Sequence, residues 1–514
     1  MNLRTAAAAF GATLAFAAPA IAQTGSAQGR PSQSQADREA ALAAQVQALQ
    51  EQLTAIQSQL QDLKEGEAAD AADVRRIQTA APTVSVANGR PTFSTADNQF
   101  RFAVRSVVQY DVAHYDQDAP KTPDNRRSDA SNPSDLNSGS NFRRARLGVE
   151  GTAFRNWNYA IMGEFGGSGS ESPVLNQAYI EYVGWKPWAS AAPLRLRVGA
   201  WATPTSLEDA TPNTDGLFLE RPAAAELVRN IAGGDGRDGF GVLANGDRWY
   251  ADAVLTGSTV GNTGEFDEQT GYLTRIAFLP LKGQNYAVHV GASVQGVIDP
   301  ADTNAGSADT KVIRLRERPE LRVDGERFAD TGSIPSDGVI AYGAELGGYW
   351  HNFYGAAEAF QIDLSRRDGI TDPHFGGWYV QGAWTLTGES HRWAGANGGF
   401  AGVRPTNAFD LAAHHWGAWE IAARYSALDL NYKEGALGTA PLASAVRGGD
   451  QTITTLGLNW YPNNTVRFLL DYLWVDVDRY DPEVTSTIVT AVPGFGAQIG
   501  QSYQAIALRS QFAF

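Results

Sequence analysis

From about Asn98 to Phe514 apolar and polar residues alternate with a period of two, and the polar partner is repeatedly arginine. In Asn141 to Gly151, NFRRARLGVEG, Arg144, Arg146 and Glu150 share one face while Ala145, Leu147 and Val149 share the other. Successive side chains of a strand point to opposite faces, so this stretch reads as a strand between water and something apolar. Phe100 to Asp111 sets Phe102, Val104, Val108 and Tyr110 against Arg101, Arg105, Gln109 and Asp111, and Leu194 to Trp201 sets Leu194, Leu196, Val198 and Ala200 against Arg195 and Arg197. No run approaches the 18 or so apolar residues that a membrane helix needs, which excludes a helical membrane protein. The mean hydropathy of -0.29 is compatible with a membrane β-barrel, whose alternating strands average out to polar.

Turn and loop lengths sharpen this reading. Strand pairs are joined by short turns at Phe154-Arg155-Asn156, Asn245-Gly246-Asp247, Leu281-Lys282-Gly283-Gln284 and Tyr461-Pro462-Asn463-Asn464, while long polar loops occupy 113–140, 202–236, 298–336, 430–449 and 478–500. Short turns on one side and long loops on the other mark an outer-membrane barrel. The expected fold is an all-β transmembrane barrel of about 16 antiparallel strands, with both ends on the short-turn, periplasmic side. The connection from Gly388 to Trp416 is long yet falls on the short-turn side, and it breaks the rule. An arginine on the lipid face at mid-bilayer costs roughly 2–4 kcal/mol, so the arginines identify the wet face. By alternation Arg101, Arg105, Arg144, Arg146, Arg195, Arg197, Arg275, Arg424 and Arg509 face the lumen, whereas Arg143 points the opposite way from Arg144. In the last strand Ile506, Leu508, Phe512 and Phe514 face outward, and a terminal Phe514 resembles the signal read by the barrel assembly machinery. Trp and Tyr cluster near strand ends, as interfacial girdles do.

The N-terminal part is built differently. Arg4, the apolar Ala6 to Ala18 and the A-x-A site at Ala20-Ile21-Ala22 read as a secretory signal over 1–22. The Gln/Ser/Gly-rich 23–38 reads as a disordered linker. Over 39–65, Val46, Leu53 and Leu60 occupy a positions and Leu42, Leu49, Ile56 and Leu63 occupy d positions of a heptad, an oligomerising coiled coil whose Leu at a and Ile at d lean towards trimers or tetramers. The other reading is an amphipathic helix packed on its own domain. Residues 66–97 read as a second linker and 98–514 as the barrel.

Of 41 Lys and Arg residues only six are Lys. Arginine keeps its charge in any environment and offers a planar fork to oxyanions. A second concentration, Lys311 to Arg327, carries Arg314, Arg316 and Arg318 two apart, then Arg322 and Arg327. Folded into a pore mouth, it presents a row of cationic forks, as anion pathways do. Self-pairing with Glu317, Glu320, Asp324 and Glu326 is the alternative, and for Arg144 and Arg146 the alternative is a brace against Glu150 or Glu164.

Several blocks together, FRRARLGVEG (142–151), SLEDATPNTDGLFLERP (206–222), RLRERPELRVDGERFADTG (314–332), WYVQGAWTLTGE (378–389), GAWEIAARYSALDL (417–430) and TLGLNWYPNNTVRFLLDYLWVDV (455–477), resemble the phosphate-selective porin O and P family. The resemblance implies a sixteen-stranded homotrimeric barrel whose third external loop, here 202–236, folds inward. It implies an anion-binding pair at the constriction, Arg143 and Arg144, with Arg146 and Arg221 beside it, and an arginine ladder of Arg314, Arg316, Arg318 and Arg322. Relatives carry a constriction lysine and a lysine-rich periplasmic mouth, but this chain has no Lys between Lys186 and Lys282. Arg221 and Arg229 are the basic residues of the third loop, set against Glu208, Asp209, Asp215, Glu220, Glu226 and Asp235. Strict orthophosphate selectivity therefore gives way to a broader choice, including polyphosphate and other anionic solutes.

Catalytic chemistry is not expected. His414-His415 lack partners for a metal site, Asp476, Asp478 and Asp481 read as a solvated rim, and neither glycine-rich stretch ends in Gly-Lys-Ser/Thr. No cofactor, metal or nucleic-acid partner is anticipated. The expected function is passive, anion-preferring diffusion of phosphate, polyphosphate or similar anions across the bacterial outer membrane, with outer-membrane lipid and lipopolysaccharide around the barrel. The alternative is a structural barrel whose coil reaches towards peptidoglycan.

Overall fold

The computed structural model describes residues 35–87, 89–117, 136–167, 174–187, 192–261, 267–302, 311–367, 369–482, 496 and 498–514. The chain divides into two units, Met1–Thr79 and Ala80–Phe514. The expected signal segment and residues 23–34 lie outside the described residues.

In the first unit a single helix, α1, runs Gln35–Ala80. It begins inside the segment expected to be disordered and continues through Gly66, where a linker was expected. A glycine costs a helix about 1 kcal/mol relative to Ala, but Ala68, Ala69, Ala71 and Ala72 follow it, and Ala is the strongest helix former. The heptad residues Leu42 to Leu63 are between 48% and 69% exposed along one seam.

The second unit opens with a hairpin, Thr83–Ala87 against Arg90–Ser94, whose second strand pairs with the start of the barrel. Residues 83–87 and 90–94 of the expected linker are thus sheet. Sixteen strands follow: β1 Arg101–Gln117, β2 Gly139–Ala153, β3 Trp157–Glu164, β4 Val174–Trp185, β5 Leu194–Trp201, β6 Arg237–Asn245, β7 Trp249–Thr259 and β8 Thr270–Lys282. The second half is β9 Tyr286–Asp299, β10 Ile334–Trp350, β11 Phe353–Arg366, β12 His374–Thr385, β13 Ala418–Tyr432, β14 Val446–Tyr461, β15 Val466–Asp478 and β16 Ser502–Ala513. Each pairs antiparallel with the next, and β16 pairs with β1 from Tyr503↔Gln117 to Ala513↔Val107, which closes the barrel and removes its edges.

The alternation predicts the faces well. Along β1, Phe102, Tyr110 and Val112 are exposed while Ala103, Val107, Gln109 and Asp111 are buried in the interior. Along β16, Ile506, Leu508 and Phe512 are exposed and Arg509 is buried. On the short-turn rim Phe353 stacks on Trp384, Trp419 on Trp460 and Trp460 on Phe468, with centroids 5.4–5.7 Å apart, forming part of an aromatic girdle. Phe514 extends β16, exchanging backbone hydrogen bonds with Ser106 of β1.

The interior is packed by three connections. The third external loop carries α2, Leu207–Ala210, and α3, Ala223–Ala232. Leu227, Val228 and Ile231 of α3 bury themselves against Val297, Ala341, Ile362, Phe375 and Leu428 of the wall. Each such side chain contributes roughly 1.5–3 kcal/mol, which holds the loop inside. The fifth loop, between β9 and β10, enters from the same side: Glu320 accepts from the Ala223 backbone, from Ser426 and from Arg424 of β13.

The long connection on the short-turn side, between β12 and β13, explains itself in the same way. It sends a small hairpin, Arg392–Ala394 against Gly399–Ala401, into the lumen. Phe400 packs with Leu207 of α2 and Tyr354, Arg275 donates to the carbonyls of Asn397 and Gly398, and His391 bonds Glu420. At the hairpin tip Gly398 has φ of 66°, and a Cβ there would lie 2.7 Å from Tyr250 Cβ. The third loop is therefore held from above by the fifth loop and from below by this connection.

Candidate functional site

Between the third loop, the fifth loop and β2 lies a cavity of about 500 Å³ lined by ten arginines, Arg143, Arg144, Arg146, Arg221, Arg229, Arg314, Arg316, Arg318, Arg322 and Arg327, and by the carboxylates Glu164, Glu226, Asp235 and Glu317. All eight arginines read from the sequence as constriction or ladder residues meet here.

The conflict between Arg143 and Arg144 is resolved by a β-bulge. Gln109 of β1 pairs with Arg144 and the next residue, Tyr110, pairs with Phe142, so Arg143 is the extra residue. The bulge turns both side chains into the lumen, at 7% and 4% exposure. Their partners differ. Arg143 grips Glu220 through Nε at 2.7 Å and Nη2 at 3.2 Å. Arg144 donates from Nη1 to Gln109 Oε1 at 2.6 Å, its buried Nε has no hydrogen-bond partner, and no carboxylate lies within 4.0 Å of it among the described residues.

Most of the other arginines are neutralised. Arg146 donates to Glu164 and to Asp235, so the brace expected with Glu164 is present. The brace expected with Glu150 is not, because Arg90 and Arg105 occupy that carboxylate. Arg221 pairs with Asp209 and Glu226, and Arg229 with Asp209, Glu226 and Asp235. Burial alone pushes the Glu226 carboxyl up, but the guanidinium groups of Arg229, Arg322, Arg221 and Arg143 bring it down to about 2. Asp235 and Glu220 are held well below the usual carboxylate range in the same way, against burial, by Arg229 and Arg146 and by Arg143 and Arg509 respectively.

The ladder combines both readings offered by its sequence. Arg314 pairs with Asp330 of its own loop, and Arg322 bridges Glu226, Glu220 and Glu317, fixing the fifth loop to the third. Arg318 is buried and donates to the Gly325 carbonyl. Arg316 is exposed in the cavity lining, with no carboxylate within 4.0 Å among the described residues.

The remaining lumen-facing predictions lie apart. Arg105 lines a second cavity on the short-turn side, Arg101 lines a third beside Glu150 and Glu181, Arg197 pairs with Glu181, and Arg195 donates to the Ala396 carbonyl. Arg275, Arg424 and Arg509 are interior and ion-paired with Glu345, Glu320 and Asp111. Arg90, Arg404 and Arg467 were not singled out from sequence. Alternation could have found Arg467, which shares a face with the buried Leu469, Asp471 and Leu473. No such pattern surrounds Arg404, which sits on the inward connection. His415 forms a backbone bridge with Asp410 in that connection.

A family model for phosphate-selective porin O and P matches residues 102–514. The chain belongs to this family. Among curated relatives, Porin O of Pseudomonas aeruginosa is 25% identical over 405 residues, which are 75% of this chain and 85% of that one. Among solved structures, an anion-selective porin from Comamonas acidovorans is 13% identical with a TM-score of 0.45, covering 81% of this chain and 100% of that one. The trimer form of OmpT from Vibrio cholerae is 11% identical with a TM-score of 0.44, covering 81% and 99%. A phosphate-selective porin O and P family member with a closed sixteen-stranded barrel is an outer-membrane porin.

Proposed function

We propose that this porin conducts anions passively, with a preference for phosphate, polyphosphate or similar oxyanions, through the arginine-lined cavity between its third and fifth loops. The observation that carries this is Arg144: a buried guanidinium whose Nε has no hydrogen-bond partner and which has no carboxylate within 4.0 Å among the described residues, lining a cavity where ten arginines meet four carboxylates. An uncompensated buried charge is costly, and a mobile anion is what relieves it. Arg143, Arg146, Arg221 and Arg322 position the loops and supply field, Arg316 meets incoming anions, and no step requires catalysis. The family name supports the solute class. The test is planar-bilayer conductance of the purified protein with chloride, phosphate and pyrophosphate. Reversal potentials favouring anions, with phosphate slowing chloride current, are expected, and cation selectivity overturns the proposal.

The same reading includes a homotrimer in outer-membrane lipid and lipopolysaccharide, inserted by the barrel assembly machinery through the β16 end at Phe514. The 46 residues of α1 span about 70 Å at 1.5 Å per residue, and the exposed heptad seam fits two further copies of itself. Apart from Lys64 at the last e position, its e and g positions, Ala43, Gln50, Gln57 and Gln45, Gln52, Gln59, are uncharged and permit like helices to pack. A coil of this length also suits contact with peptidoglycan, which keeps an anchoring role alongside conduction.

A further inference from the structure

Four inward side chains stand directly opposite one another on four adjoining strands: Arg144 of β2 faces Gln109 of β1, Gln109 faces Gln511 of β16, and Gln511 faces Arg467 of β15. Hydrogen bonds join most of the row. Arg144 Nη1 donates to Gln109 Oε1 at 2.6 Å, and Gln109 Nε2 donates to Gln511 Oε1 at 2.6 Å. Gln511 Nε2 and Arg467 Nη1 both donate to the carbonyl of Thr214 in the third loop, at 3.0 and 3.2 Å. Barrel strands tilt, so a row of opposed residues runs obliquely across the wall. This one descends from mid-strand, at Arg144 and Gln109, to the short-turn rim, where Arg467 is the second residue of β15.

Arg467 is 3% exposed, yet its Nε and Nη2 have no hydrogen-bond partner and no carboxylate lies within 4.0 Å of it among the described residues. These two nitrogens form one edge of the guanidinium. The same edge grips a carboxylate at Arg143–Glu220, at Arg275–Glu345 and at Arg509–Asp111. At Arg467 it is unoccupied, and the residue lines a cavity of about 300 Å³ with Arg90, Arg105 and Arg404. Those three already have partners, Glu150 for Arg90 and Arg105 and Asp215 for Arg404. Of the four, Arg467 is the one with no carboxylate within 4.0 Å among the described residues, its face lying over the Tyr461 ring at 4.7 Å from the centroid.

We propose that Arg467, flanked by Arg404 and Arg105, is a second oxyanion site on the periplasmic side of the constriction, in series with Arg144 and separated from it by the Gln109–Gln511 amide pair. A tetrahedral oxyanion such as inorganic phosphate places two oxygens on the free edge, as a carboxylate does elsewhere in this barrel. Arg404 comes from the inward connection, so that connection completes the site as well as supporting the third loop. This inference rests on the anion-channel reading.

The experiment is sided phosphate block of chloride current through single channels of the full-length protein. The chain has no Cys, so Ala412→Cys, exposed on the short-turn connection, fixes orientation by reaction with an impermeant thiol reagent. Arg467→Gln is expected to raise the half-blocking phosphate concentration about tenfold from the periplasmic side, the worth of a charged bidentate contact, and to leave block from the external side near wild type. Arg467→Lys keeps the charge without the fork and is the control for assembly. It is expected to fold and insert as the wild type does, judged by heat-modifiable gel mobility, while losing most of the periplasmic phosphate block. Unchanged block from both sides in both variants, or equal loss from both sides, overturns the second site. Absence of anion preference in the wild type instead sinks the anion-channel reading, a distinct result.

Discussion

Arg143 and Arg144 are consecutive in a β-strand, yet both face the lumen, because the bulge opposite Gln109 and Tyr110 inserts one extra residue. Arg143 is saturated by Glu220, while Arg144 keeps a free Nε. Neighbours in sequence thus have different surroundings, one holding the third loop and the other lining the cavity with a free edge. Arg144→Gln is expected to weaken phosphate block of chloride current about tenfold with little change in trimer melting, in keeping with loss of a charged hydrogen bond. Arg143→Gln is expected to lower stability by about 1–3 kcal/mol, moderated by Arg509 and Arg322, which also contact Glu220. Paired bilayer and thermal-melt measurements on the two variants check the division, and matching phenotypes would contradict it.

Under the proposed function the ladder would act through field as well as contact. Neutralising Arg314, Arg316 and Arg318 together to Gln is expected to reduce anion current several-fold near 0.01 M salt, where the Debye length is about 30 Å, and far less near 1 M, where it is about 3 Å. Conductance measured across that range is the check. Loss independent of salt would point to misplacement of the fifth loop instead.

The inward connection supports the third loop from below through Phe400, Leu207 and the Arg404–Asp215 pair. Replacing 392–401 by a short Gly/Ser turn is expected to raise single-channel conductance and to reduce anion preference, as the third loop loses its floor. Phe400→Ala alone is expected to cost about 3–5 kcal/mol of stability. Conductance and melting of both variants test this, and a deletion variant with wild-type conductance would show that the connection does not shape the path.

Acid tests the third loop. The folded pKa of Glu226 is lowered from 4.5 to about 2 by the arginines around it, against burial. A depressed carboxyl contributes stability that is present above its unfolded pKa and lost as pH falls through its folded one. Barrel melting is therefore expected to be insensitive to this group above about pH 4.5 and to fall progressively towards pH 2, with Glu226→Gln flattening part of that fall. Melting temperatures in detergent from pH 7 to pH 2 measure it.

Removal of 35–80 is expected to leave trimers assembled by barrel contacts, slightly weakened in mild detergent. Sedimentation of the shortened protein decides between this and complete dissociation, which would place the assembly in the coil.

Much of the architecture was legible because it follows from local periodicity. Alternation along β1, β2, β5 and β16 separates lipid from lumen over most of each strand, since a strand has two faces and an arginine is tolerated on only one of them. Turn and loop lengths set the count of about sixteen strands and both ends of the barrel. The same regularity hid the bulge at Arg143, because a single inserted residue changes register only when the partner strand is known. Gly66 obscured the continuation of α1, where the following alanines outweigh one unfavourable residue.

By itself the sequence determined the barrel, its wet face and the supply of arginines, because these depend on side-chain type and on the two-residue repeat. Tertiary structure decided which arginines keep an unsatisfied edge. Arg146 meets Glu164 of the adjoining strand and Asp235 of the third loop, and Arg221 and Arg229 meet carboxylates of their own inward-folded loop, whereas Arg144 meets an amide and Arg467 a backbone carbonyl of that loop. That difference depends on where three inward-folded connections come to rest, a matter of packing between residues hundreds of positions apart, which no local pattern encodes.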